Sequence, residues 1–124
     1  MITPIRNGQS LSLELARPFI GKEVKITIDQ PAQSYYKGAQ YEVNYGFVPG
    51  TNAPDGDALD AYYLGTDKPL KEAVGICIAI IHRLEDDDDK LIIVPKIMEN
   101  LTNEEIEAKV NFQEKNFKHV VVRL

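Results

Sequence analysis

The stretch PDGDALDAYYLG, residues 54–65, is the hardest part of this chain to accommodate, because it crowds Asp55, Asp57 and Asp60 together and then runs straight into an apolar strand pattern. Unit charges within ~4 Å repel by about 4 kcal/mol per pair at an effective dielectric near 20. A fold that brings these carboxylates together needs positive charge between them. In extended backbone, side chains two apart face the same way, which would set Asp55 beside Asp57 across Gly56, with Asp60 opening the next strand. Hard divalent cations such as Mg2+ take oxygen ligands and keep several waters, the coordination that convergent aspartates offer. The alternative is that D-G-D forms an Asx turn and Asp60 a strand cap on a solvated surface. Spacing alone leaves both open.

A second acidic group, Glu85–Asp89, precedes Lys90 and the apolar LIIV. A charge run between two strands is ordinarily a solvated hairpin tip, and all of these acids except Asp88 are read that way. Asp88 and Lys90, two apart at the start of a strand, share a face and set a carboxylate for a metal beside an ammonium for an anion. The two clusters together point to a metal site with a phosphate site next to it.

Around these clusters the chain reads as short elements. Leu11, Leu13 and Leu15 alternate with polar residues, as do Val24, Ile26 and Ile28, and each run has the period of a half-buried strand. Residues 32–44 read as a loop and residues 44–56 as turns rich in Gly and Pro. DAYYLG at 60–65, VGICIAII at 74–81 and LIIV at 91–94 are strands, the last two forming a hairpin around the acidic run. Thr102 and Glu105 make a capping box, and Ile106, Val110 and Phe117 sit at helical spacing, which predicts one helix over about 103–116. HVVVRL closes the chain as a strand. Several strands and one helix imply a mainly β, α+β fold: a small barrel or curled sheet with a helix packed on it.

The length, 124 residues with 44% apolar and 27% charged, suits one domain over residues 1–124. The net charge of −5 disfavours nucleic acid as a partner and suits cation binding. Val74–Ile81 is too short to cross a membrane, and Pro4, Arg6 and Asn7 interrupt any apolar core of a signal peptide, so the expected location is the cytoplasm. The single cysteine, Cys77, lies in that apolar run and reads as a buried, inert thiol.

With these residues assembled, the chain resembles the soluble, family I, Mg2+-dependent inorganic pyrophosphatases, in a short, abbreviated form. The resemblance rests on Tyr41-x-x-Asn44-Tyr45-Gly46-Phe47, on Asp55-Gly56-Asp57-x-x-Asp60, on Val74-Gly75-Ile76 and on Asp88-x-Lys90-Leu91-Ile92-Ile93-Val94-Pro95, and covers about residues 24–95. It implies a five-stranded OB-like barrel with a C-terminal helix. It implies Asp55, Asp60 and Asp88 as metal ligands, Asp57 as the general base, Tyr45 as the hydroxyl that positions the attacking water, and Lys90 as a phosphate ligand. It also implies Mg2+, with Mn2+ as the alternative ion, pyrophosphate as substrate, and homo-oligomers as the family habit.

The departures are as informative. The run Asp29–Gln40 is all that separates Ile28 from Tyr41, where the family has a longer stretch that supplies a lysine, a glutamate and an arginine to the site. Asp29 stands where the family ends that strand on a glutamate. His82 and Arg83 occupy the region of a further metal aspartate, and Lys115 and Asn116 that of a tyrosine–lysine pair that holds product phosphate. Replacement donors are Arg83, able to grip an oxyanion bidentately, and Tyr35, Tyr36 and Lys37 in the shortened loop. Arg83 also reads as a hairpin charge paired with its acidic neighbours, and His82 as a structural hydrogen-bonding residue. The expected activity is Mg2+-dependent hydrolysis of inorganic pyrophosphate to two phosphates. The alternatives are a metal- and phosphate-binding relative with weak turnover, or a phosphohydrolase acting on another small diphosphate.

Overall fold

Alternating β-branched residues decide most of the architecture. A computed structural model describes residues 10–123. Pro4, Arg6 and Asn7, which argue against a signal peptide, and Leu124, the last residue of the HVVVRL run, lie outside the described residues. The elements are α1 (Leu11–Ala16), β1 (Glu23–Gln30), β2 (Tyr35–Tyr36), β3 (Ala39–Gln40), β4 (Asn44–Phe47), β5 (Asp60–Tyr63), β6 (Glu72–Arg83), β7 (Lys90–Val94), α2 (Asn103–Glu114) and β8 (His119–Val122), with single 3-10 turns at Arg17–Phe19 and Lys96–Met98. The main sheet runs β1-β4-β5-β7-β6-β8, and β1 also pairs with β6, which closes five strands into a barrel and leaves β8 as an outer strand. All of its pairings are antiparallel except β5 with β7.

β7 shows why LIIV carries no polar alternation. Leu91 and Ile93 pack inside the barrel with Val24, Ile26 and Ile80, whereas Ile92 and Val94 pack under α2 against Ile106 and Val110. One strand thus serves two cores, and both of its faces are apolar. Gly46 shows the tightness of the closure: a Cβ there would lie 1.8 Å from the Thr27 carbonyl oxygen, so only glycine lets β1 and β4 meet.

α2 begins as its sequence indicates. The Thr102 hydroxyl accepts from the Glu105 amide at 3.1 Å and Glu105 Oε1 accepts from the Thr102 amide at 3.0 Å. Replacing Thr102 by alanine is expected to cost about 1 kcal/mol in urea unfolding, while Thr102→Ser stays near wild type. The helix ends at Glu114, so Phe117 falls beyond it.

The strand expected at Leu11–Leu15 is instead a helix, the second of the fold. The Ser10 hydroxyl caps it by accepting from the Leu13 amide, and its inward face is Ser12 and Ala16, four apart, while Leu11 and Leu15 are exposed. Leucine at every second position fits either period; the small residues set the buried face. Within the 32–44 loop, β2 and β3 form a minute hairpin separate from the main sheet. No described helix is long and apolar enough to cross a membrane.

Candidate functional site

The parallel pairing of β5 with β7 sets Asp60 beside Lys90 at the first residues of both strands. Two stretches thirty residues apart in sequence therefore open at the same end of the barrel. Lys90 Nζ donates to Asp60 Oδ2 at 2.7 Å and lies 2.9 Å from Asp88 Oδ2. Its side chain is only 3% exposed, so an ammonium sits almost dry between two carboxylates, above the Tyr45 ring at 5.6 Å. Burial raises the Asp60 carboxyl above the ordinary aspartate range, against the pull of Lys90, and Asp88 pushes the same way. A carboxylate whose desolvation one ammonium does not offset gains from further positive charge. Tyr45 is held well above the usual tyrosine range by burial first and then by the Asp60 carboxylate, so its hydroxyl keeps its proton at neutral pH.

These groups line a cavity of about 680 Å³, with room for a small polyanion and its counter-ions. Asp57, Asp60, Asp88, Lys90, Tyr45 and Arg83 all reach it, as do Asp29, Asp86, Tyr36 and Lys37. Tyr35, proposed as a donor, is 76% exposed and is not among the lining residues, and at the helix end Asn116 reaches the cavity whereas Lys115 does not.

Asp55 stands apart. Gly56 has φ +88, so the D-G-D segment is a turn rather than extended backbone, and Asp55 does not face the same way as Asp57. Its Oδ1 accepts from the Asp57 amide at 2.9 Å, and the residue does not line the cavity. The Asx turn weighed above is present at Asp55, while Asp57 and Asp60 go to the cavity.

Arg83 is not offered to the cavity as a free clamp. Its Nε and Nη2 donate to Glu114 Oε1 and Oε2 at 2.7 and 2.9 Å, its Nη1 donates to Asp86 Oδ2 at 2.7 Å, and the guanidinium stacks 3.7 Å from the Phe117 ring centroid. Burial opposes its charge, but the bonds to Glu114 and Asp86 outweigh it and raise its pKa. Tyr62 also donates to Glu114 Oε2, at 2.6 Å. Sequence reading missed Glu114; the available signal was its place in the buried stripe of Ile106 and Val110, at four-residue spacing.

The acidic run is also less solvated than expected, since Glu85 alone of its acids is exposed. Asp87 accepts from the Ser10 and Ser12 hydroxyls and the Ser12 amide, anchoring α1 to the hairpin. Those bonds overcome its burial and lower its pKa. Asp89 accepts from the Arg83 amide and bonds His82 Nδ1, each at 2.9 Å, which gives His82 a structural place. The run folds inward because its carboxylates satisfy backbone and hydroxyl donors. Cys77 is buried, and its thiol is pushed up to about 12 by desolvation.

Among the described residues, no three His, Cys, Asp or Glu side chains converge closely enough to hold an ion by themselves. The convergent pair is Asp60 with Asp88, around a position that a cation already occupies. Mg2+ is commonly carried on one or two carboxylates with waters completing its shell, so this all-oxygen pair fits a hard divalent ion.

A family model described as inorganic pyrophosphatase matches residues 8–120. The inorganic pyrophosphatase of Aeropyrum pernix is 35% identical over 65 residues, 49% of this chain and 37% of that protein. That of a Nostoc species is 33% identical over 86 residues, 60% of this chain and 50% of that protein. The chain spans half or less of the length of these relatives. The crystal structure of inorganic pyrophosphatase from Ehrlichia chaffeensis superposes with a TM-score of 0.65 at 18% identity, covering 84% of this chain and 87% of that one. At that identity the likeness speaks for the fold, the OB-like barrel with a C-terminal helix.

Proposed function

Since the chain belongs to the inorganic pyrophosphatase family, we propose that it hydrolyses inorganic pyrophosphate to two phosphates with the help of Mg2+, or Mn2+ in its place. The observation that carries this reading is the Asp60–Lys90–Asp88 cluster in the wall of a cavity that Asp57 and Tyr45 also line.

Asp60 and Asp88 would hold the ion. Asp55, whose Oδ1 accepts from the Asp57 amide, does not line the cavity and would join them only if its turn moved toward it. A divalent ion held by these residues would supply positive charge against the phosphoryl oxygens and would make the attacking water more acidic. Asp57 takes the proton from the attacking water. The protonated Tyr45 hydroxyl donates a hydrogen bond that orients it. Lys90 donates to a phosphate oxygen, which requires its ammonium to share or leave its carboxylate partners as positive charge arrives beside them. The water oxygen forms a bond to one phosphorus, the bridging P–O bond breaks, and the second phosphate leaves with that oxygen. No covalent enzyme intermediate is involved. Arg83 is removed from the phosphate grip and kept as the brace between barrel and α2.

Phosphate release from pyrophosphate, followed with and without Mg2+, tests the reading. The expected result is turnover that needs the ion and disappears with a chelator. Binding of Mg2+ and phosphate without turnover would instead favour a binding protein, and turnover insensitive to chelator would contradict the proposal.

A further inference from the structure

A diphosphate entering this cavity meets five lining carboxylates and three lining cations. Two of those cations are committed: Arg83 to Glu114 and Asp86, and Lys90 to Asp60 and Asp88. Among the described residues, Lys37 alone of the three carries no carboxylate partner. Its ammonium lies 5.3 Å from the Tyr36 ring centroid, an aromatic contact rather than an ion pair. A polyanion must bring or find positive charge here, and Lys37 is the donor the protein itself leaves available.

The backbone fixes where that donor stands. Lys37 and Gly38 have φ of 51 and 80, the two successive left-handed residues of a type I′ hairpin turn, between Tyr36 and Ala39. The β2–β3 hairpin hangs outside the barrel, tied at its base by the Gln33 amide to the Tyr41 carbonyl at 2.7 Å and the Tyr41 amide to the Ser34 carbonyl at 2.8 Å. Tyr36 meets Tyr41 edge-on at 6.4 Å, and Tyr41 packs on Phe112 at 5.3 Å and on Tyr45 at 5.6 Å. A line of rings thus connects the lysine turn to the tyrosine beside Asp60.

We propose that Lys37, carried on the β2–β3 turn, is a substrate-binding residue that grips the phosphate of the diphosphate farther from Asp60 and Asp88. The inference rests on the pyrophosphate reading above and names the chain's own donor for it. Lys37 contributes to holding the anion and not to holding the ion, since the structure pairs it with neither Asp60 nor Asp88.

Titration calorimetry with imidodiphosphate, a diphosphate with a nitrogen bridge, in saturating Mg2+ tests this on wild type, Lys37→Gln and Lys37→Arg. Lys37→Gln is expected to weaken binding about 10–100-fold, the scale of one charge-assisted hydrogen bond, and Lys37→Arg to recover most of it. The Mg2+-induced rise in melting temperature should be the same in all three proteins. In turnover, Lys37→Gln should raise KM by more than it lowers kcat. Equal imidodiphosphate affinity in wild type and Lys37→Gln overturns the proposal, as does a loss of the Mg2+ response in that variant. Wild-type binding without turnover removes the catalytic reading while the Lys37 comparison still stands, and no wild-type binding removes both.

Discussion

Replacing Asp57 by asparagine is expected to cut Mg2+-dependent phosphate release from pyrophosphate by about 10²–10⁴-fold, the range over which a positioned general base contributes. The melting temperature should barely move. Asp57 is exposed, the turn uses its backbone amide through Asp55, and its carboxylate is left to the cavity. Exposed substitutions of that kind usually change stability by no more than about 0.5 kcal/mol. The asparagine keeps the shape and loses the basicity, so a large loss of turnover with an intact fold and intact Mg2+ binding isolates the proton-accepting role. Turnover equal to wild type would move the base elsewhere in the cavity.

The largest effect on stability should come from Glu114. Its side chain is fully buried, takes two bonds from Arg83 and one from Tyr62, and stands at the last residue of α2, so it fastens the helix to β6 and β5. Truncation to alanine leaves Arg83, 2% exposed, with Asp86 as its remaining carboxylate. Removing one partner of a buried pair costs about 3–5 kcal/mol, a large share of the 5–15 kcal/mol that holds a typical domain. The expected fall in melting temperature is roughly 10 °C or more. Replacing both members together, Arg83→Met with Glu114→Leu, should recover part of that, because neither member of the pair is then left as a lone buried charge, while the Tyr62 hydroxyl and Asp86 lose a partner each. A loss below about 1 kcal/mol for Glu114→Ala would mean that α2 is held by its apolar contacts, Ile106, Val110 and Phe112, and not by the ion pair.

Much of the barrel can be read from local pattern. The alternation of Val24, Ile26 and Ile28 and the unbroken runs at 74–81 and 91–94 mark β1, β6 and β7, and the Thr102–Glu105 pair marks the start of α2. What local pattern does not contain is register. Asp60 meets Lys90 because β5 and β7 run parallel side by side, although the long β6 lies between them in sequence. The inward turn of Asp87 and Asp89 likewise depends on where Ser10, Ser12 and the Arg83 amide come to rest. Leu11–Leu15 misled because leucine suits both periods, and the D-G-D aspartates diverge because Gly56 takes a left-handed turn. The family motif names Asp55, Asp60 and Asp88 as a set, whereas the geometry brings Asp60 and Asp88 together around Lys90 and holds Asp55 in its own turn.

Asp60 and Asp88, from two separated parts of the chain, meet around one cation, and the proposed chemistry depends on that meeting. Melting temperature against Mg2+ concentration, for wild type and for Asp60→Asn with Asp88→Asn, tests that most directly. Wild type should gain about 2.7 kcal/mol when the ion reaches 100 times its dissociation constant, and the double variant should show almost none of that rise whatever its starting stability. An undiminished Mg2+ response in the double variant, or none in wild type, would contradict it.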